Sequence, residues 1–217
     1  MQEPPRDFTA FLESATRVGA PPLCPDIRLH LAENLDALWA GQERWLGRAG
    51  LPPPFWGVAW PGGQALARYV LDDPDSVRGR AVLDLGSGCG LVAIAAARSG
   101  ARAVEAADTD AFARSAIRAN AGLNGVTLAT PEADLVGTSP RWDVVLAADL
   151  WYERFLAGRL TAWLREIAAG GTPVLLGDNG RAFFPKQGVE ELRRFELGSA
   201  TPERAPVTTA GVWRLRP

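Results

Sequence analysis

Histidine, cysteine, lysine and methionine are nearly missing from this 217-residue chain. His30 is its single histidine, so a Ser-His-Asp triad or a histidine-rich metal site has almost nothing to work with. Cys24 and Cys89 are its only cysteines, too few for a disulfide framework or a paired Cys-x-x-Cys metal site, and no metal is expected. Lys186 is the one lysine; the other basic residues are arginine. The formal net charge of −2 offers no cationic footprint for nucleic acid or an anionic membrane. No stretch approaches about 18 consecutive apolar residues, so no transmembrane helix is expected. The N-terminus, MQEPPRDFTAFLES, places Glu3, Asp7 and Glu13 ahead of any useful apolar run. Secretory signals begin with positive charge and transit peptides avoid acids, so the chain is expected to be cytoplasmic, or else already processed. Internal repeats are absent as well.

What is present is an alternation of short apolar runs and amphipathic stretches. Ile27, Leu31, Leu35, Leu38, Trp45 and Leu46 follow rough helical spacing and predict a helix over 26–48. GLPPPFWGVAWPGG then interrupts the pattern. The expected division is an N-terminal helical extension and linker over 1–54 and a main domain over 55–217. In the latter, strands are predicted at 81–85, 103–108, 126–130, 143–149, 173–178 and 211–216. Helices are predicted at 64–71, 90–99, 109–123 and 154–169, with 190–197 of mixed character. Strands alternating with helices imply an α/β, Rossmann-like fold: a mostly parallel seven-stranded sheet, helices on both faces, and a C-terminal antiparallel hairpin.

The densest punctuation is DLGSGCG, which places Asp84, Gly86, Ser87, Gly88 and Gly90 just after the first strand of the alternation. In such folds ligands bind beyond the carboxyl ends of the strands, and glycines let the backbone approach them. Asp108 ends the next strand, where an acid accepts ribose hydroxyls, and Thr109 follows it. The spacing is G-x-G-x-G, whereas a dinucleotide fingerprint is G-x-G-x-x-G. Asp84 would repel a pyrophosphate and attract an ammonium, which points to S-adenosylmethionine; a Rossmann protein using a nicotinamide cofactor is the alternative. Asp134, after the third strand, is expected at the adenine amino group, or else as a cap or solvent-facing acid.

The fourth strand ends in ADLWYERF, opposite the expected methyl group. Asp149, Trp151 and Tyr152 are therefore expected to line an acceptor pocket, with Trp56 and Trp60 closing it from the linker side. The opposing reading of the tryptophans is plain core, because aromatics bury large areas. No NPPY-type loop of adenine or glutamine methylation occurs, and His30 is assigned no acid–base role.

PFWGVAWPGGQALARYVLDDPDSVRGRAVLDLGSGCG, DLWYERF, LLGDNGR and TTAGVWRLRP together resemble the electron transfer flavoprotein β-subunit lysine methyltransferases, a branch of the seven-β-strand protein lysine methyltransferases. WPGGQAL and DLGSGCG occur in the same order as in that family. The resemblance implies a class I S-adenosylmethionine-dependent methyltransferase releasing S-adenosylhomocysteine, with a protein lysine of the flavoprotein β-subunit as acceptor. It implies Trp60 near the cofactor, Asp108 on the ribose, and an Asp-x-x-Tyr signature, Asp149 and Tyr152, at the lysine. Animal members enter mitochondria, and the missing transit signal implies a bacterial relative. A small-molecule N-methyltransferase of the nicotinamide type and a ribosomal-protein methyltransferase are the competing activities. A monomer that meets its protein substrate transiently is expected.

Overall fold

The computed structural model describes residues 8–197 and 209–217. Its first elements are α1 (Phe8–Ala15), β1 (Arg17–Gly19), β2 (Leu29–Leu31) and α2 (Leu35–Leu46). The helix expected over 26–48 is thus divided. Leu29–Leu31 pairs antiparallel with Arg17–Gly19, a partner that helical spacing does not reveal. Asn34 then opens α2, its Oδ1 accepting from the Ala37 amide at 2.8 Å. His30 lies in β2, its Nδ1 3.1 Å from the Thr16 hydroxyl and its backbone N–H donating to Asn120.

The alternation follows as α3 (Pro61–Asp72), β3 (Ala81–Leu85), α4 (Leu91–Arg98), β4 (Ala103–Ala107), α5 (Ala111–Leu123), β5 (Val144–Ala148), α6 (Arg154–Ala169), β6 (Val174–Asp178), β7 (Val189–Glu196) and β8 (Thr209–Leu215). The sheet runs β4-β3-β5-β6-β8-β7. The first four in that order are parallel, while β8 is antiparallel to both its neighbours. This main sheet has six strands among the described residues, where seven were expected. The run 126–130 contributes one parallel bridge, Ala129 to Glu105. Ala129 donates to Val104 and accepts from Ala106, but the next donor toward that strand would be Pro131, which has no N–H. The segment 190–197 is strand rather than mixed, as β7 shows.

Consecutive residues of the central strands serve opposite faces. Val82, Val144 and Leu146 pack with α3 and α4, while Leu83, Val145 and Ala147 pack with α6. That two-sided burial is why these strands read as unbroken apolar runs. Each fully buried Leu or Val among them contributes roughly 1.5–3 kcal/mol. A third cluster docks α1 and α2 on α5 through Phe8, Leu12, Leu38, Trp56 and Ala116. Phe11 stacks on Trp45 with centroids 4.7 Å apart. This docking carries Gln42 and Leu46 to the wall of the cavity described next. No helix among the described residues is long and apolar enough to cross a membrane.

Candidate active site

Strand order reverses at β3, which has β4 on one side and β5 on the other. At the carboxyl ends of these three strands lies a cavity of about 860 Å³. Gly86 and Gly88 line it after β3, Asp108 and Thr109 after β4, and Asp149 and Tyr152 after β5. Trp60 and Arg181 complete that part of the wall, and Asp134 lies at another part.

Gly86 has φ +64°, and a Cβ there would run into Leu150 Cδ2. Glycine is therefore required, and the bare backbone faces the cavity. The Gly88 amide donates to Asp108 Oδ2 at 3.0 Å and the Asp110 amide to Oδ1 at 2.9 Å. Burial still raises the Asp108 carboxyl above its ordinary value. These bonds tie the glycine loop to the end of β4 and leave a half-buried carboxylate on the wall.

Asp84 takes a different position from the one expected. It is buried and does not line the cavity. Its Oδ2 accepts from the Ser87 hydroxyl at 2.5 Å and the Ala93 amide at 3.0 Å, so it pins the loop to the first turn of α4. Burial pushes its carboxyl up to about 7. Ser87 and Gly90 also sit behind the wall, and Gly90 forms the N-cap of α4. Asp134 is exposed, accepts from the Val136 amide at 3.0 Å and pairs with Arg159 at 3.5 Å.

Asp149 is the only non-glycine described residue with positive φ, at 58°. Its carboxylate is buried at the N-terminus of α3, where Oδ2 accepts from the Gly63 amide at 2.7 Å. Arg181 Nε and Nη2 donate to Oδ1 at 3.3 and 3.2 Å. Burial pushes this carboxyl up to about 7; Arg181 and the α3 amides oppose that rise, while Asp178 adds to it. Asp178 is fully buried, its Oδ1 accepting from the Gly180 and Arg181 amides at 2.7 Å. It thereby fixes the turn that carries Arg181, whose guanidinium also stands 5.4 Å from the Trp60 ring centre. Gly62 lets α3 come this close to the sheet, because a Cβ there would meet the Gly177 carbonyl oxygen at 2.5 Å.

Tyr152 is half exposed on the wall, its ring 5.9 Å from that of Phe55. Burial and Asp108 raise its phenol above the ordinary value. Trp151 corrects the expectation of a pocket residue. It is fully buried away from the cavity, donates Nε1 to Thr161 at 3.0 Å and packs edge-on against Phe184. The turn at Asp149 sends successive side chains to different sides, and Trp151 joins the α6 core. Trp56 is core against Phe8 and also lines the cavity. His30 is not on the wall. Arg181 was not foreseen; the one available signal was its place just beyond the GD that ends β6, the strand beside β5.

Comparison with known proteins places this geometry in context. The family model described as ribosomal protein L11 methyltransferase (PrmA) matches residues 64–151, from α3 to the turn after β5. The chain is 40% identical over 220 residues to the electron transfer flavoprotein beta subunit lysine methyltransferase of Rattus norvegicus, covering 96% of this chain and 84% of that one. The chain belongs to that methyltransferase family. In fold it matches a candidate RNA methyltransferase from Pyrococcus horikoshii with a TM-score of 0.58 at 17% identity, covering 77% of this chain and 90% of the other. It also matches magnesium protoporphyrin IX methyltransferase from Synechocystis PCC 6803 with bound S-adenosylmethionine, TM-score 0.50 at 16% identity, covering 70% and 76%.

The protein is therefore an S-adenosylmethionine-dependent methyltransferase with a class I fold. Its cavity fits that cofactor. The loop at Gly86 admits no Cβ, so backbone faces the space, and Asp108 offers a carboxylate suited to a diol. When bound, the cofactor supplies a methyl group already activated by a sulfonium charge. The protein is left to align the acceptor and exclude water.

Proposed function

We propose that the enzyme methylates a lysine Nζ on the β-subunit of electron transfer flavoprotein. The observation that carries this reading is likeness along almost the whole chain, 96% of it, to a protein named for that activity. In the same reading Asp108 holds the ribose, Gly86 and Gly88 present backbone to the methionine portion, and Thr109 and Asp134 border the adenine. Asp84, Ser87 and Gly90 hold the loop from behind. Asp149 and Tyr152 receive the lysine, with Trp60 flanking them.

Only a neutral amine attacks a methyl sulfonium, and a free lysine titrates near 10.4. Asp149, once ionised, attracts the incoming ammonium and aims it; the amine then loses its proton to water before transfer. Oδ2 of Asp149 is held by the Gly63 amide, so the acceptor meets Oδ1, beside Arg181. No general base stronger than water is required. In this proposal the enzyme acts as a monomer in the cytoplasm; the net charge of −2 supports the part of it that excludes nucleic acid and an anionic membrane as partners.

The test is incubation of the purified enzyme with electron transfer flavoprotein and methyl-labelled S-adenosylmethionine, followed by mass spectrometry. Label on β-subunit lysine supports the reading. An unlabelled flavoprotein overturns it.

A further inference from the structure

Four large hydrophobic residues stay well exposed among the described residues: Val18, Phe55, Tyr152 and Phe155. Val18 lies in the short β1 strand. Phe55 and Tyr152 touch each other on the wall of the cavity. Phe155 follows in the first turn of α6 and is 73% exposed. No internal role explains it, since the start of α6 is capped by Glu153, whose two carboxylate oxygens accept from the Phe155 and Leu156 amides. A shallow depression of about 480 Å³ surrounds Phe155 and is lined by Glu153, Arg154, Gly158 and Arg159. Arg159 also lines the main cavity, so the two hollows share that side chain as a wall.

The charge around this rim is mixed, with Glu153 and Asp134 acidic and Arg154 and Arg159 basic, and the groups differ in how they are engaged. Glu153 is occupied by the helix amides, and Arg159 is paired with Asp134. Arg154 is exposed and forms no ion pair among the described residues, leaning instead over the Phe183 ring at 5.5 Å. An exposed aromatic set beside an exposed arginine is the composition of a protein-binding hot spot rather than of a small-molecule lid.

We propose that this rim docks the acceptor protein. The segment beside the methylated lysine places an apolar side chain on Phe155 and a carboxylate against Arg154, while the lysine enters past Phe55 and Tyr152. The proposal rests on the protein-acceptor reading above.

Steady-state kinetics with electron transfer flavoprotein as acceptor tests it, using Phe155→Ala and Arg154→Glu. Neither change threatens folding: Phe155 is exposed, and an acid suits the first turn of a helix. The expected result is a KM for the flavoprotein raised about tenfold in each variant. In both, kcat stays within about twofold, and S-adenosylhomocysteine affinity and melting temperature are unchanged. An unchanged KM in both variants overturns the docking surface and leaves the acceptor reading standing. A fall in kcat at constant KM also overturns it. A wild-type enzyme that never methylates the flavoprotein removes both.

Discussion

Asp84 and Asp149 stand at the ends of adjacent strands, both buried and both with carboxyls pushed up to about 7, yet they do different work. Asp84 touches only neutral donors, the Ser87 hydroxyl and the Ala93 amide, and lies behind the glycine loop. Asp149 touches a guanidinium and a helix N-terminus, and it reaches the cavity. A raised carboxyl pKa alone does not mark the chemistry. What separates the two is a charged partner and access to the space where substrates meet.

The contrast is broken most strongly by Asp149→Asn. Its amide oxygen still accepts from Gly63, but the charge is gone, and methylation of the protein acceptor should fall by about 100-fold or more. Calorimetry should show S-adenosylhomocysteine binding within about twofold of wild type. Asp108→Ala does the reverse. S-adenosylhomocysteine affinity should weaken by roughly 1–3 kcal/mol, the scale of lost hydrogen bonds to a charged group; unchanged affinity would remove Asp108 from the site.

Asp84→Asn has the smallest effect and bears on stability. Burial raises this carboxyl above its unfolded value of 3.8, so the folded state holds its proton more tightly. Stability is therefore lost as pH rises from about 4 to about 7 and is level above that. The asparagine oxygen can accept the same two bonds without ionising. Melting temperatures should agree below about pH 4, and the variant should melt higher by a few degrees near pH 8. A variant that melts lower at pH 8 would mean that the ionised carboxylate holds the loop better than an amide.

Much of this contrast was legible in the sequence. Unbroken apolar runs located β3, β5 and β6, and glycine density with an acid after each of two strands located the loop and Asp108. Elements that depend on distant partners were not legible. The α1 helix is settled by packing of Phe8 and Phe11 against Trp45 and Trp56. The β2 strand needs Arg17–Gly19. Arg181 meets Asp149 only because β6 lies beside β5 and Asp178 fixes the intervening turn. Trp151 was misplaced because the turn at Asp149, with φ 58°, breaks the simple alternation of a strand.

The central claim is that ionised Asp149, tuned by Arg181, receives the lysine, and the pH dependence of kcat/KM on the flavoprotein tests it most directly. Below about 7 two protons must leave, one from Asp149 and one from the amine, so the logarithm of the rate should climb with a slope of about 2. Above that pH only the amine titrates, and the slope should fall to about 1. Arg181→Gln should move the break upward, because the guanidinium opposes the raised carboxyl. Asp149→Asn should show a slope of about 1 throughout. A wild-type profile without a break near pH 7, or a break that survives in Asp149→Asn, would contradict the account.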